Sequence, residues 1–258
     1  MRIRSRWGVA VALGLAVVGY DATARACSCI GTQVVIPSAK THVPLNTRIV
    51  VLSGSDRVML RRKGGARVPT TLTRVGTGSD PAIILSPKQN LQPLTVYQVR
   101  IRSGKRWSAA KEFTTGRTVD KANPKWKGIA SAFYSGKVRP GLIRSTCTVG
   151  GVATIKVKLK GSATDLNTPG EDVLYMVWVG KASRRIDFTK APQGMAREWV
   201  DGAGKKRGML LIGRRGICEL DLVSVPIRSS IRLGLRPVDP SGNLGKPVEL
   251  KLPATHRY

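Results

Sequence analysis

Two histidines, four cysteines and fifteen carboxylates are the groups from which this 258-residue chain would have to build reactive chemistry, against 44 Lys and Arg. His42 and His256 lie at opposite ends of the sequence, and neither neighbours a candidate nucleophile, so an imidazole-assisted nucleophile is not expected. Nucleophile-elbow, zinc-protease and phosphate-loop patterns do not occur. Carboxylates can work without histidine when two flank a substrate. The pairs at hand are Glu171 with Asp172 and Glu219 with Asp221. The second pair alternates along a strand-like stretch and reads as a solvated face beside Arg214 and Arg215. The expectation is therefore a non-enzymatic protein with no catalytic residue, no metal and no cofactor.

How the cysteines behave depends on compartment, and the N-terminus speaks to that. Arg2, Arg4 and Arg6 precede an apolar run from Trp7 to Tyr20, and Ala24-Arg25-Ala26 follows. This is the pattern of a secretory signal peptide over residues 1–26, with an apolar run too short to span a bilayer as a helix. Export would bring Cys27, Cys29, Cys147 and Cys218 into an oxidising compartment, where an even count favours disulfides. Locality favours pairing Cys147 with Cys218, closing a loop worth roughly 4 kcal/mol of chain entropy. Cys27 and Cys29 are left unassigned, since a bond across one residue makes a strained ring. Lipidation of Cys27 is disfavoured by Arg25 and Ala24 in the positions before it.

The formal charge is +29, and it belongs to the mature chain: residues 27–116 carry +11 and residues 128–258 carry +12. Basic clusters stand at Arg61-Arg62-Lys63, Arg184-Arg185 and Lys205-Lys206-Arg207, with a stripe at Lys156, Lys158 and Lys160. Such residues can contact a polyanion, or they can simply keep strands soluble and unpaired. With only 13 aromatic residues and no nucleic-acid motif, sequence-specific nucleic-acid recognition is not expected. The partners expected are anionic envelope polymers (polysaccharide, lipopolysaccharide or extracellular DNA) or another surface protein.

The elements that must carry these residues read as short strands. TRIVVL (47–52), RVML (57–60), PTTLT (69–73), AIIL (82–85), VYQVRI (96–101) and KEFT (111–114) are punctuated by Gly and Pro. That spacing marks an antiparallel sandwich or barrel. After a polar segment at 117–127, VATIKVKLK (152–160) alternates, and strands are expected at 173–179, 218–223, 231–236 and 248–252. Residues 180–216, rich in Gly, Lys and Arg, are expected to form a long loop or a pair of ragged edge strands. Trp178 is expected in a core.

Three features of residues 43–116 carry a family resemblance: the opening Val43-Pro44-Leu45-Asn46-Thr47, the run Leu91-Gln92-Pro93-Leu94-Thr95-Val96-Tyr97-Gln98-Val99, and the closing Phe113-Thr114-Thr115-Gly116. The segment resembles the bacterial Ig-like domain of surface-layer and other cell-surface proteins, although Val50-Val51-Leu52-Ser53 lacks the aromatic that family usually carries before the Ser. Near the C-terminus, Arg236-Pro237-Val238-Asp239-Pro240-Ser241-Gly242-Asn243 resembles the hairpin closing many Ig-like or fibronectin type III-like domains. Together these imply an all-β protein with two Ig-like antiparallel β-sandwich domains in tandem after a cleaved signal peptide. The divisions expected are a signal peptide at 1–26, an N-terminal segment at 27–42, domains at 43–116 and 128–253 around a linker at 117–127, and a tail at 254–258. The function this implies is a structural or adhesive role in a bacterial envelope, in the periplasm, at the cell surface or outside the cell. A basic polyanion-binding protein is the alternative, and an exported carboxylate-dependent hydrolase is a third reading.

Overall fold

The computed structural model describes residues 34–52, 57–76, 81–103, 105–135, 154–200, 206–213 and 229–254, and of residues 103, 135, 154, 199, 200, 206 and 207 the backbone alone. The cysteines and the 218–223 strand expectation lie outside these residues, as do the signal peptide, the 254–258 tail from residue 255 and His256. Apart from one 3-10 turn at Gly170–Asp172, the regular structure described is all β. No described helix is long and apolar enough to cross a membrane.

Among the described residues eight strands precede residue 116: β1 (Val34–Ile36), β2 (Ile49–Leu52), β3 (Arg57–Arg62), β4 (Thr70–Val75), β5 (Ala82–Pro87), β6 (Val96–Ser103), β7 (Arg106–Trp107) and β8 (Lys111–Thr114). They form two antiparallel sheets, β1-β2-β5-β4 and β3-β6-β7 with β8 paired to β6. Val35, Ile49, Val51, Ile83 and Leu85 from the first sheet meet Val58, Leu60, Tyr97, Val99, Ile101 and Phe113 from the second in one core. We call this the first unit.

Seven described strands follow: β9 (Ile129–Ser135), β10 (Thr154–Leu159), β11 (Leu174–Lys181), β12 (Gly194–Val200), β13 (Lys206–Gly213), β14 (Ile231–Val238) and β15 (Val248–Leu252). They make one antiparallel sheet in the order β15-β14-β11-β12-β13-β10-β9. Register shifts at Glu198/Val200 and Lys158/Leu159 bend it, and β15 comes alongside β9. Ile155, Val157, Tyr175, Val177, Leu210, Ile212, Leu233 and Leu235 close on a second core.

Two sequence expectations change here. Residues 34–42 are more than a lead-in, since β1 pairs with β2 and Ile36 is fully buried. Residues 180–216 supply β12 and β13, and both are interior strands, each hydrogen-bonded on two sides. In β13 Leu210 and Ile212 are buried with Leu211 half-buried between them, and in β12 the consecutive Met195 and Ala196 are buried on opposite faces; neither strand shows an alternation of apolar and polar residues that would mark it in sequence.

The two units meet along an apolar seam. Ile36, Val50, Leu52, Val75, Ala82 and Ile84 of the first pack against Leu174, Met195 and Val238 of the second. These side chains point away from their own unit's core, because successive residues of a strand face opposite sides. At about 1.5–3 kcal/mol for each large aliphatic side chain fully buried, the seam outweighs the polar contacts at its edge. Those contacts are Ser38 N–H to Asp172 Oδ2 at 2.7 Å and Ser38 Oγ to Glu171 Oε1 at 2.8 Å; the second is exposed and competes with water.

Candidate functional site

The basic residues singled out in sequence separate in space. Arg61 turns its Nη2 onto Gly65 O at 3.0 Å, bracing the turn after β3. Lys63 pairs with Glu112 at 2.9 Å, and hydrogen bonds from Gln98 and then Lys63 hold the Glu112 carboxyl below its ordinary range. Arg62 instead lines a cleft of about 520 Å³ with Arg67, Lys88, Asn90, Gln92 and Tyr97. Arg62, Arg67 and Lys88 are all exposed there. Sequence reasoning included Arg62 and missed Arg67 and Lys88, which β-strand pairing brings in from two other segments.

Lys158 and Lys160 are exposed and Lys156 is half-buried, opposite in facing to Ile155, Val157 and Leu159. Because β10 pairs with both β9 and β13, this stripe does not guard an edge. Cross-strand neighbours share a face, so Lys156 is flanked by Phe133 and Leu211, and Lys158 by Ser131 and Met209. Phe133 is 52% exposed, giving that face an apolar as well as a basic character. Lys206 and Arg207 open β13, where the backbone alone is described; Lys205 lies outside the described residues, as do Cys27, Cys29, Cys147 and Cys218. Trp178 is buried, though on the face of β11 opposite Tyr175 and Val177. It lies edge-on to Phe188 with ring centroids 5.0 Å apart, and its Nε1–H donates to Lys190 O at 3.0 Å.

Of the carboxylate pairs, Asp172 is fully buried at the seam and Glu171 accepts from Ser38, so both hold the junction. Glu219 and Asp221 lie outside the described residues.

What the sequence reading missed is carried by the segment between the two units. The 117–127 segment is strapped down: Asn46 accepts from Asp120 N at 2.9 Å and donates to Asp120 O at 2.7 Å. Lys125 pairs with Thr164, and Trp126 packs against Tyr175 while its Nε1–H donates to Lys246 O at 2.7 Å. Asp120 is thereby delivered to two loops of the second unit, one beginning at Asp165 between β10 and β11, the other at Asp239 after β14. Carboxylate oxygens of Asp120, Asp165 and Asp239, one from each, lie within 4.8 Å of one another. Asp120 is 1% and Asp239 4% exposed. Burial pushes the Asp239 carboxyl up to about 6, and the charges of Asp120 and Asp165 add to the shift. Burial likewise raises Asp165.

Each loop is built around its aspartate. Asp165 Oδ1 accepts from Asn167 N at 2.9 Å and Thr168 N at 3.1 Å. Asp239 Oδ1 accepts from Asn243 N and its Oδ2 from Asn243 Nδ2, both at 2.9 Å. These are the local turns Asp favours. The turn residues Asp165-Leu-Asn-Thr-Pro and Asp239-Pro-Ser-Gly-Asn were visible in sequence, but such turns are common and nothing in the spacing brings them together with Asp120.

No protein-family model matches the chain, and no curated protein matches it. Among solved structures it is similar to one described as the structure of Yersinia pseudotuberculosis adhesin InvE, at 12% identity and a TM-score of 0.22. The alignment covers 86% of this chain and 58% of that one, so the chain spans less than two thirds of the other protein's length. A likeness at that level carries no argument, and the β architecture stands on the chain's own strand pairing.

Proposed function

We propose that the chain is an exported, non-enzymatic protein of a bacterial cell envelope, built of two Ig-like β-sandwich units, with a structural or adhesive role. The observation that carries this reading is the seam. Units in one chain move relative to one another unless their interface is large and apolar, and here nine buried apolar side chains from both units pack together. A protein that must hold binding loops in fixed relation, or bear load between two attachment points, gains from such a joint. The signal-peptide pattern and the resemblance of residues 43–116 to cell-surface domains support that location. The test is fractionation of the native host followed by intact mass, reduced and unreduced. A chain beginning at Cys27 and recovered outside the cytoplasm is expected; a full-length cytoplasmic chain sinks the reading.

A second reading, polyanion binding, is favoured by the cleft that gathers Arg62, Arg67 and Lys88. Binding to heparin would then weaken steeply with salt. Arg62→Glu with Arg67→Glu would abolish it, while Lys63→Glu would cost less, since Lys63 is already paired with Glu112. Binding insensitive to salt and to the double reversal excludes this reading.

A further inference from the structure

We propose that Asp120, Asp165 and Asp239 form a binding site for one divalent cation of the calcium type, which ties the connecting segment to both loops of the second unit.

Convergence of three carboxylates is costly in itself, and this chain had ample means to avoid it. It carries 44 Lys and Arg against 15 acidic residues, so each carboxylate has nearly three cations to choose from. Yet among the described residues none of the three pairs with a Lys or Arg. Arg48 comes close, its guanidinium lying against Gly242 and its backbone N–H donating to Pro240 O at 2.7 Å, but it forms no ion pair with them.

Independent of the clustering, two carboxylate oxygens are stranded. Asp120 is 1% exposed; its Oδ1 accepts from Ala122 N at 2.9 Å and Asn167 Nδ2 at 2.8 Å, while its Oδ2 is closed off from solvent and accepts nothing. Asp165 repeats the arrangement, with Oδ1 occupied by its own loop and Oδ2 shut in without a donor. Ser241, within the Asp239 loop and 7% exposed, also has a hydroxyl oxygen without a partner. A buried charged oxygen with no partner carries the full penalty of desolvation. Asp120 and Asp165 are thus held in place through one oxygen each, and the other is left for a positive charge that the protein does not itself supply, while Asp239 accepts from Asn243 on both oxygens.

The donors choose the cation. All are oxygens, with no imidazole or thiolate among them, which selects a hard ion over zinc or copper. Calcium binds oxygen at about 2.3–2.6 Å with flexible geometry, so two of its ligands can stand up to about 4.6–5.2 Å apart, and the spacing within 4.8 Å fits. Magnesium requires about 2.0–2.1 Å and a near-regular octahedron, which three loops of unrelated origin do not offer. A bound dication offsets two of three negative charges and gives Asp120 Oδ2 and Asp165 Oδ2 their missing partner.

The site stands or falls separately from the envelope role. Full-length protein is freed of metal with a chelator, then titrated with CaCl₂ and, in parallel, MgCl₂, following heat of binding and thermal melting. One saturable Ca²⁺ site per chain is expected, in the ~10⁻⁴–10⁻³ M range of extracellular modules, with the melting temperature rising by several degrees at saturation. Asp165→Asn keeps the Oδ1 cap and places an amide at the stranded position; it should fold, melt no lower than metal-free wild type, and lose Ca²⁺ affinity by about 100-fold. Asp239→Asn serves as the second variant, with the same loss expected. Wild-type protein that binds neither ion, that prefers Mg²⁺, or that matches both variants in Ca²⁺ affinity overturns the proposal.

Discussion

Asp172 shows how a single buried carboxyl sets a pH response. It is fully buried, its Oδ2 accepts the Ser38 N–H at 2.7 Å across the seam, and its Oδ1 has no partner. Burial, ahead of the neighbouring Glu171 charge, pushes its carboxyl above the ordinary range. A carboxyl raised on folding binds its proton more tightly in the native state, so it adds stability as pH falls from neutral towards the unfolded value of about 4. As pH rises through the folded value that stability is lost. Asp172→Asn keeps an acceptor for Ser38 and removes the titration. The difference in melting temperature between wild type and Asp172→Asn should therefore widen in the variant's favour from about pH 4 to 7; a constant difference would show that Asp172 is not the titrating group. Other residues did their work where the sequence placed them. In the Leu91–Val99 run, Tyr97 is buried, stacks on Phe113 with centroids 5.7 Å apart, and accepts from Gln92 N at 2.9 Å. Thr95 Oγ1 donates to Pro93 O at 2.9 Å, and Thr115 Oγ1 to Gln92 O at 2.6 Å, so Thr95, Tyr97 and Thr115 tie the Gln92–Pro93 backbone into a corner.

At the scale of elements, periodicity made most strands legible and hid what lay behind two of them. The 57–60, 96–101 and 152–160 patterns pointed to β3, β6 and β10. IVVL in β2 and AIIL in β5 are apolar at every position because both faces are buried, one against their own core and one in the seam. Such runs are the mark of a strand covered on both sides, and the same holds for LYMVWV in β11. The 117–127 segment, polar enough to read as a linker, is held to both units, by Asn46 on one side and Thr164 on the other. On the far side of β11, Gly234 of β14 stands opposite Trp178 and leaves room for the loop above it. A Cβ there would lie 2.9 Å from Ile186 Cγ2 and 2.9 Å from Phe188 Cε1. Gly234→Ala is expected to cost about 1–3 kcal/mol, as overpacking does, and to shift Trp178 fluorescence as Phe188 is displaced. Unchanged stability with an unchanged spectrum would mean that the loop yields freely.

The whole molecule depends on whether the seam couples two units that each have a core. The inward cores are separate sets of residues, and the seam is a third, so removing the seam should uncouple the units without dissolving either. Val50 tests this, since it is 4% exposed and faces the seam, while its neighbour Val51 is fully buried in the first unit's own core. An aspartate at either position is a buried charge without a partner, an error of roughly 3–5 kcal/mol if it stays buried. At position 50 the chain can escape that cost by parting the units and wetting the charge. At position 51 it can escape only by unfolding the first unit. Wild type should therefore melt in one calorimetric transition. Val50→Asp should melt in two, with the far-ultraviolet spectrum of folded β structure kept before the first of them. Val51→Asp should lose the first unit's strand signal outright. A Val50→Asp protein that still melts in a single transition, merely lowered, would mean that the two units fold as one and that the seam is a core like the others.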